Sequence, residues 1–175
     1  MMRYVIVCLL KGQVLDFHEA IVNQVCKKFD VRRQRLPAHF TIKAPFETDN
    51  IKEIEKLTEE FCSKNVKTSL KIEGFGHFRD NVIFMDIHPS RDAFKVHDKY
   101  IDELKKLSWL EWKQNEGENK KFHCTIVSKR IREKFNDIWK YVLNYEANFE
   151  TYFDNISILI WRNYRWETYR EYKLS

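Results

Sequence analysis

Two copies of one short pattern constrain this chain more than any other feature. His39-Phe40-Thr41-Ile42 and His123-Cys124-Thr125-Ile126 lie 84 positions apart (123 − 39). They sit in the stretches "AHFTIKAPF" and "FHCTIVSKR", which both read as strands. Side chains on a strand alternate between faces. His39, Thr41 and Lys43 therefore share one side, with Phe40, Ile42 and Ala44 on the other. In the second copy His123 and Thr125 share a face, followed by Val127 and Lys129, with Cys124 and Ile126 opposite. With six histidines and seven threonines in 175 residues, chance supplies about 0.24 His-x-Thr pairs. One copy would therefore mean little, whereas two in matched strand context, each followed by an amphipathic segment, point to a duplicated functional strand.

The chain length suits one domain, residues 1–175, built as two related lobes. A 43% hydrophobic and 15% aromatic content supplies a core and argues against disorder. No apolar run reaches the roughly 18 residues of a membrane span. The opening "MMRYVIVCLLKGQVLDF" lacks a small-residue cleavage site and reads as a first strand, not a signal peptide. Cys8, Cys26, Cys62 and Cys124 form no Cys-x-x-Cys pair. They are expected to be small buried hydrophobes in a cytoplasmic protein. The net charge of +5 permits an anionic partner. The basic stretch "KKFDVRRQRLP" (27–37), just before the first motif, is either a solvated loop or a phosphate-attracting rim.

The apolar run 3–10 is a central strand, and Val14, Phe17, Ile21, Val25 and Phe29 mark a helix. Pro37 and Pro45 bracket the first motif strand. Ile51, Ile54, Leu57 and Phe61 form the buried stripe of a helix capped by Asp49 or Asn50. A hairpin turns at "RDN", and Pro89-Ser90 opens a third helix through Phe94, His97, Ile101, Leu104 and Leu107. Residues 108–121 read as a mobile polar loop. Ile131, Phe135, Ile138 and Val142 mark a fourth helix, and a final hairpin turns at 162–165. Both halves thus run motif strand, helix, hairpin. The expected fold is α+β: a bilobal, pseudo-duplicated domain with two antiparallel sheets flanking a central cleft and helices packed outside.

If the lobes face each other, the cleft holds two imidazoles and two hydroxyls. Histidine titrates near neutrality, so one ring can take a proton while the other gives one. Cleaving a P–O bond requires both actions. Thr41 and Thr125 can hydrogen-bond the non-bridging oxygens, and Lys43 and Lys129 can attract the anion. No metal or other cofactor is called for: threonine is a weak ligand and no carboxylate accompanies either histidine. The remaining histidines, His18, His77, His88 and His97, are expected to be structural or surface residues.

At these residues the sequence resembles the 2H phosphoesterase superfamily, defined by two His-x-Thr/Ser-x motifs and including the RNA 2′,3′-cyclic phosphodiesterases historically called 2′-5′ RNA ligases. The ending "RWETYREYKL" resembles the closing strand of small bacterial members of the YjcG-like branch. The resemblance spans nearly the whole chain. It implies metal-independent phosphoester chemistry on RNA ends or nucleotides carrying a cyclic phosphate or 2′-5′ linkage, with His39, Thr41, His123 and Thr125 as reacting residues. Ligase-type members follow the first motif with a Phe-Leu-Gly-like run and the second with Ala-Arg; here "KAPF" and "VSK" follow, so the resemblance carries the chemistry further than it carries the RNA substrate. The expected protein is a monomer without membrane attachment. A competing expectation is a non-catalytic RNA- or nucleotide-binding protein using the same cleft, with Tyr164 and Trp166 stacking on bases.

Overall fold

The computed structural model describes residues 1–175, and its elements follow the sequence pattern closely. They are β1 (Met2–Leu9), α1 (Gln13–Phe29), β2 (His39–Thr48), α2 (Ile51–Lys64), β3 (Thr68–Phe78), β4 (Val82–Pro89), α3 (Arg91–Lys105), β5 (His123–Ser128), α4 (Phe135–Val142), β6 (Asn148–Phe153), β7 (Asn155–Arg162) and β8 (Arg165–Lys173). A short 3₁₀ turn at Arg132–Lys134 leads into α4. The strands form two antiparallel four-stranded sheets, ordered β2-β1-β7-β8 and β5-β4-β3-β6. Helices pack on their outer faces: α2 against β7 and β8, α3 against β3 and β4, and α1 against β5, β6 and α4. No helix is long and apolar enough to cross a membrane.

The duplication is deeper than the order of motif strand, helix and hairpin. Both motif strands are sheet edges, and each borders a central strand that precedes it by one helix. The repeating unit is therefore β1-α1-β2-α2 and β4-α3-β5-α4. Strands also cross between the sheets: β3, following α2 of the first unit, lies in the β5 sheet, and β7–β8, following β6, lie in the β2 sheet. One continuous core runs through both sheets, from Ile6 and Phe40 to Met85 and Ile126. The β7–β8 turn needs no glycine, because Asn163 and Tyr164 both take positive φ (50° and 60°), the geometry of a two-residue hairpin loop. The four cysteines are free thiols, and Cys8, Cys62 and Cys124 are buried.

Three local expectations need correction. Pro45 does not close β2 but lies within it; an edge strand with irregular pairing at that point tolerates a residue that cannot donate a hydrogen bond. Asn50 does not cap α2 through its side chain; its own backbone N–H donates to Thr48 Oγ1 (2.8 Å). Residues 108–121 form no helix or strand, yet they are pinned to the body by Leu110, which is buried in the core, and by Glu116.

Asn155 ties the fold to the first motif. Regular pairing of β1 with β7 ends at Val7 opposite Ser157. Beyond it the fully buried Asn155 side chain takes over. Its Oδ1 accepts from Leu9 N and its Nδ2 donates to Leu9 O, both at 2.9 Å. Leu9 is the cross-strand partner of His39. Replacing Asn155 by leucine orphans two buried backbone groups of Leu9. We expect a loss of about 3 kcal/mol in urea unfolding, with an unchanged m-value.

Candidate active site

β2 and β5 lie against each other where the two sheets meet. The seam is aromatic: Phe40 of β2 stacks on Phe122, the residue before β5, at 4.6 Å between ring centroids. His39 and His123 flank it. Each imidazole makes the same bond. His39 Nδ1 donates to Pro37 O (2.6 Å) and His123 Nδ1 donates to Lys121 O (3.0 Å), in both cases the carbonyl two residues upstream. A carbonyl only accepts, so Nδ1 carries the proton and Nε2 is left as a lone-pair acceptor. Neither Nε2 has a bonding partner in the protein, and neither threonine hydroxyl does.

Cross-strand pairs explain which face these groups share. His39 opposes Leu9 and Thr41 opposes Val7. Those residues belong to a small cluster of Val5, Val7, Leu9, Leu36, Leu159 and Trp166 on the face of β1 that points away from the main core. His123 opposes Asp86 and Thr125 opposes Phe84. The ring of Phe84 packs on His123 (5.2 Å) and on Phe78 (4.6 Å), and Phe78 meets His123 edge-on (4.9 Å). Gly76 makes this possible, since a Cβ there would sit 2.5 Å from Phe84 Cε2.

The two lysines named from the sequence are not brought to this face. Thr41 pairs with Val7 but Lys43 pairs with Ile6, so one extra residue, Ile42, is inserted opposite a single step of β1. Thr125 pairs with Phe84 but Val127 with Ile83, so Ile126 is inserted in the same way. Strict alternation therefore ends at each threonine. Lys43 joins the main-core side with Ile6. It is 2% exposed, with its Nζ 2.9 Å from Glu116 Oε2 and 4.9 Å from the Trp112 ring centroid. Its counterpart Val127 is fully buried. Lys129 lies beyond β5, exposed, in left-handed backbone (φ 62°).

Other groups gather at the site without a sequence signal. His18 of α1 is buried, and its Nε2 donates to the Thr125 carbonyl (2.8 Å), which no strand pairs with on the open edge of β5. It is a structural residue, as expected, but one that braces the second motif. Beside His123 opens a recess of about 850 Å³, lined by Phe78, Arg79, Asn119, Lys120 and Lys121 among others. Of the basic 27–37 stretch, Arg35 is anchored by its Nη1 to Tyr164 O (2.7 Å), while Arg32 and Arg33 are exposed. Tyr164 is 81% exposed, but Trp166 packs edge-on to Trp161 (5.4 Å) and into the small cluster, which removes it as a free stacking platform. His77 packs edge-on to Trp139 (4.9 Å) and His88 is a surface residue beside Asp86 (3.5 Å). His97 is fully buried against Phe122 (4.9 Å). No three histidine, cysteine, aspartate or glutamate side chains converge at metal-binding spacing.

Burial dominates the electrostatics. It drives His39 down to about 4, against the opposing pull of the Pro37 carbonyl and with help from His18, His123 and Lys120. Burial also lowers His123, although the Lys121 carbonyl and Asp86 oppose it. Burial pushes the Cys124 thiol up to about 12, and a bond to the His39 backbone pulls weakly the other way. Burial would raise the Glu116 carboxyl, but the Lys113 amide and Lys43 outweigh it and hold it below the usual range.

A scan against known families matches residues 13–165 to the model described as "2'-5' RNA ligase superfamily". The chain belongs to that superfamily. A Bacillus licheniformis protein described as a candidate phosphoesterase is 25% identical over 166 residues, covering 90% of this chain and 89% of its own. A Geobacillus protein with the same description is 29% identical over 102 residues, 56% of this chain and 57% of its own length, so that match spans little more than half of the relative. Among solved structures, the Thermus thermophilus protein TT0787 superposes with a TM-score of 0.67 at 12% identity, and Escherichia coli LigT in complex with NADP+ with 0.66 at 13%. Each match covers 99% of this chain and 98% of the other. At those identities the likeness is one of fold, and it extends over the whole superfamily domain.

The burial of the site has two measurable consequences. His18, His39, His97 and His123 are all held below the ordinary histidine value, chiefly by desolvation. In the unfolded chain they take up protons below about pH 6.5. The folded protein resists that uptake, so its stability is intact above pH 6.5 and falls as pH drops towards 4. His39 alone accounts for a loss on the order of 3 kcal/mol across that window, and His39→Gln should flatten the decline in unfolding free energy measured by denaturant titration. Separately, Glu116→Ala leaves the buried Lys43 ammonium without its partner and should cost about 3–5 kcal/mol, while Lys43→Met with Glu116→Leu recovers most of it.

Proposed function

We propose that this protein is a metal-independent phosphoesterase that acts on a 2′,3′-cyclic phosphate or a 2′-5′ linkage in RNA or a nucleotide, with His39 and His123 as its acid–base pair. The observation that carries this reading is the matched bonding of the two imidazoles. Both hold their Nδ1 proton on a carbonyl two residues upstream, and both leave Nε2 unbonded, on adjoining strands. A binding site alone does not require two histidines held in the same tautomer.

The division of roles follows from burial. His39 is 6% exposed and stays unprotonated down to about pH 4, so it is the base. His123 is less buried, so desolvation opposes its charged form less, and it carries the proton once an anionic phosphate lies between the rings. In hydrolysis, His39 Nε2 takes the proton of a water molecule as its oxygen bonds to phosphorus. His123 Nε2–H delivers its proton to the departing sugar oxygen as that P–O bond breaks. The hydroxyls of Thr41 and Thr125, free of partners in the protein, donate to the non-bridging oxygens as charge builds there. A sugar hydroxyl in place of water gives the joining direction, with the two histidines exchanging roles on reversal.

The nucleotide class is supported by family membership and by the ligands of a fold relative: LigT has been crystallised with NADP+, 3'-AMP and ATP. The purified protein should turn over at least one of 2′,3′-cyclic nucleotides, 2′-5′-linked oligonucleotides or ADP-ribose 1″,2″-cyclic phosphate. His39→Ala and His123→Ala should each lower kcat by at least ~10²–10⁴, and EDTA should change nothing. Wild-type turnover in either variant, or activity that needs an added divalent metal, would overturn the reading.

A further inference from the structure

We propose that Lys120, in the loop between α3 and β5, is the cation that binds the substrate's phosphate beside the two histidines. The proposal rests on the phosphoesterase reading of the cleft and supplies what that reading lacks. A phosphodiester is an anion, and neither lysine named from the motif strands is placed to meet it: Lys43 lies in a buried ion pair and Lys129 lies past the end of β5.

Lys120 stands three residues before His123, and the two line the same recess. It differs from the other lysines around it. Lys43 is paired with Glu116 (2.9 Å), Lys105 with Glu118 (3.1 Å), and Lys121 with Asp86. Lys120 has no carboxylate within ion-pair distance and no hydrogen bond, although it is half-buried. Leaving a partly desolvated ammonium unpaired is costly, and an arriving anion removes that cost. Burial accordingly lowers the Lys120 amine below the ordinary lysine value, with Glu116 opposing. The amine lies close enough to both motif imidazoles for its charge to depress each of them.

The backbone that carries Lys120 is held on both sides. Four residues upstream, Glu116 is clamped to Lys43 of β2, and its Oε2 also accepts from Lys113 N (2.8 Å). Three residues downstream the chain enters β5. The clamp thus sets a loop of the second half on a strand of the first, and Lys120 faces the recess from that fixed span. Arg79, exposed at the β3–β4 turn, is the other basic residue of the recess without a carboxylate, but it is more open to solvent.

The test measures binding of inorganic phosphate and of 3′-AMP by titration calorimetry, alongside steady-state turnover of a 2′,3′-cyclic nucleotide. It compares the wild type with Lys120→Gln, Lys120→Arg and the distant charge control Lys67→Gln. Lys120→Gln should weaken phosphate and 3′-AMP binding about tenfold or more and raise KM by a similar factor with a smaller effect on kcat. Lys120→Arg should recover most of the affinity, and Lys67→Gln should match the wild type. Phosphate affinity in Lys120→Gln within twofold of wild type, or no phosphate binding by the wild type at millimolar concentration, overturns the proposal. If Lys120-dependent phosphate binding is found but none of the cyclic or 2′-5′ substrates is turned over, the function reading fails while the Lys120 site stands. If turnover is found and is indifferent to Lys120→Gln, the Lys120 site fails while the function reading stands.

Discussion

A sheet that ends leaves a row of N–H and C=O groups with no strand to pair with. Here two such edges, β2 and β5, meet over the stacked rings of Phe40 and Phe122, and the groups at those edges orient the candidate site. The carbonyls of Pro37 and Lys121 accept from the two motif imidazoles, and the carbonyl of Thr125 accepts from His18. Each of these bonds satisfies a backbone group and, in the same act, fixes a tautomer. The two sheets are also tied by chain crossings. β2 belongs to a sheet completed by β7–β8 from the end of the chain, and β5 to one that takes in β3 from the first unit.

Much of this was legible in the sequence because period-two alternation and helical stripes are local. The motif strands, the four helices and both hairpins follow directly from it. The alternation misleads at Lys43 for a definite reason. An inserted residue at Ile42 reverses the side on which the next residue emerges, and no residue type announces such an insertion when the strand is apolar on both faces. The same insertion at Ile126 carries Val127 into the core. Residues 108–121 mislead in another way. Their polar composition reads as solvated loop, but a few of them, Leu110 and Glu116 among them, decide where the segment lies. Glu116 is buried only because Lys43, 73 positions away in the chain, is buried opposite it. Such a pairing has no local signature. The order of the repeat was legible; its true frame, beginning at β1 and β4, depends on which strands are neighbours and so on the folded chain.

The charges of the site are organised by the same burial. Four histidines in and behind the seam favour their neutral forms, so the cleft is poor in protons near pH 7. The nearby lysines are nearly all neutralised by carboxylates, which leaves Lys120, with the more exposed Arg79, as the unpaired positive charge of the recess. Under the proposed function, an anionic substrate changes both conditions together. It meets the unpaired ammonium, and it makes a protonated imidazole favourable where desolvation had made it unfavourable. Protonation of the site then becomes coupled to occupancy.

A duplicated motif would be expected to yield two equivalent histidines, and equivalent histidines make a poor acid–base pair. The two copies differ in what surrounds them. His39 is enclosed by α1, where His18 adds a like charge if protonated, and nothing acidic opposes it. His123 has two phenylalanine rings on one side and the recess on the other, and is the less buried of the pair. The backbone bond that fixes the tautomer is common to both; the environment that sets proton affinity is not. Pairs of titratable groups whose surroundings push them apart are how a single site holds a base and an acid at one pH. Under the proposed function, the duplication supplies two matched imidazoles, and their unequal burial sets which of them holds the proton more readily.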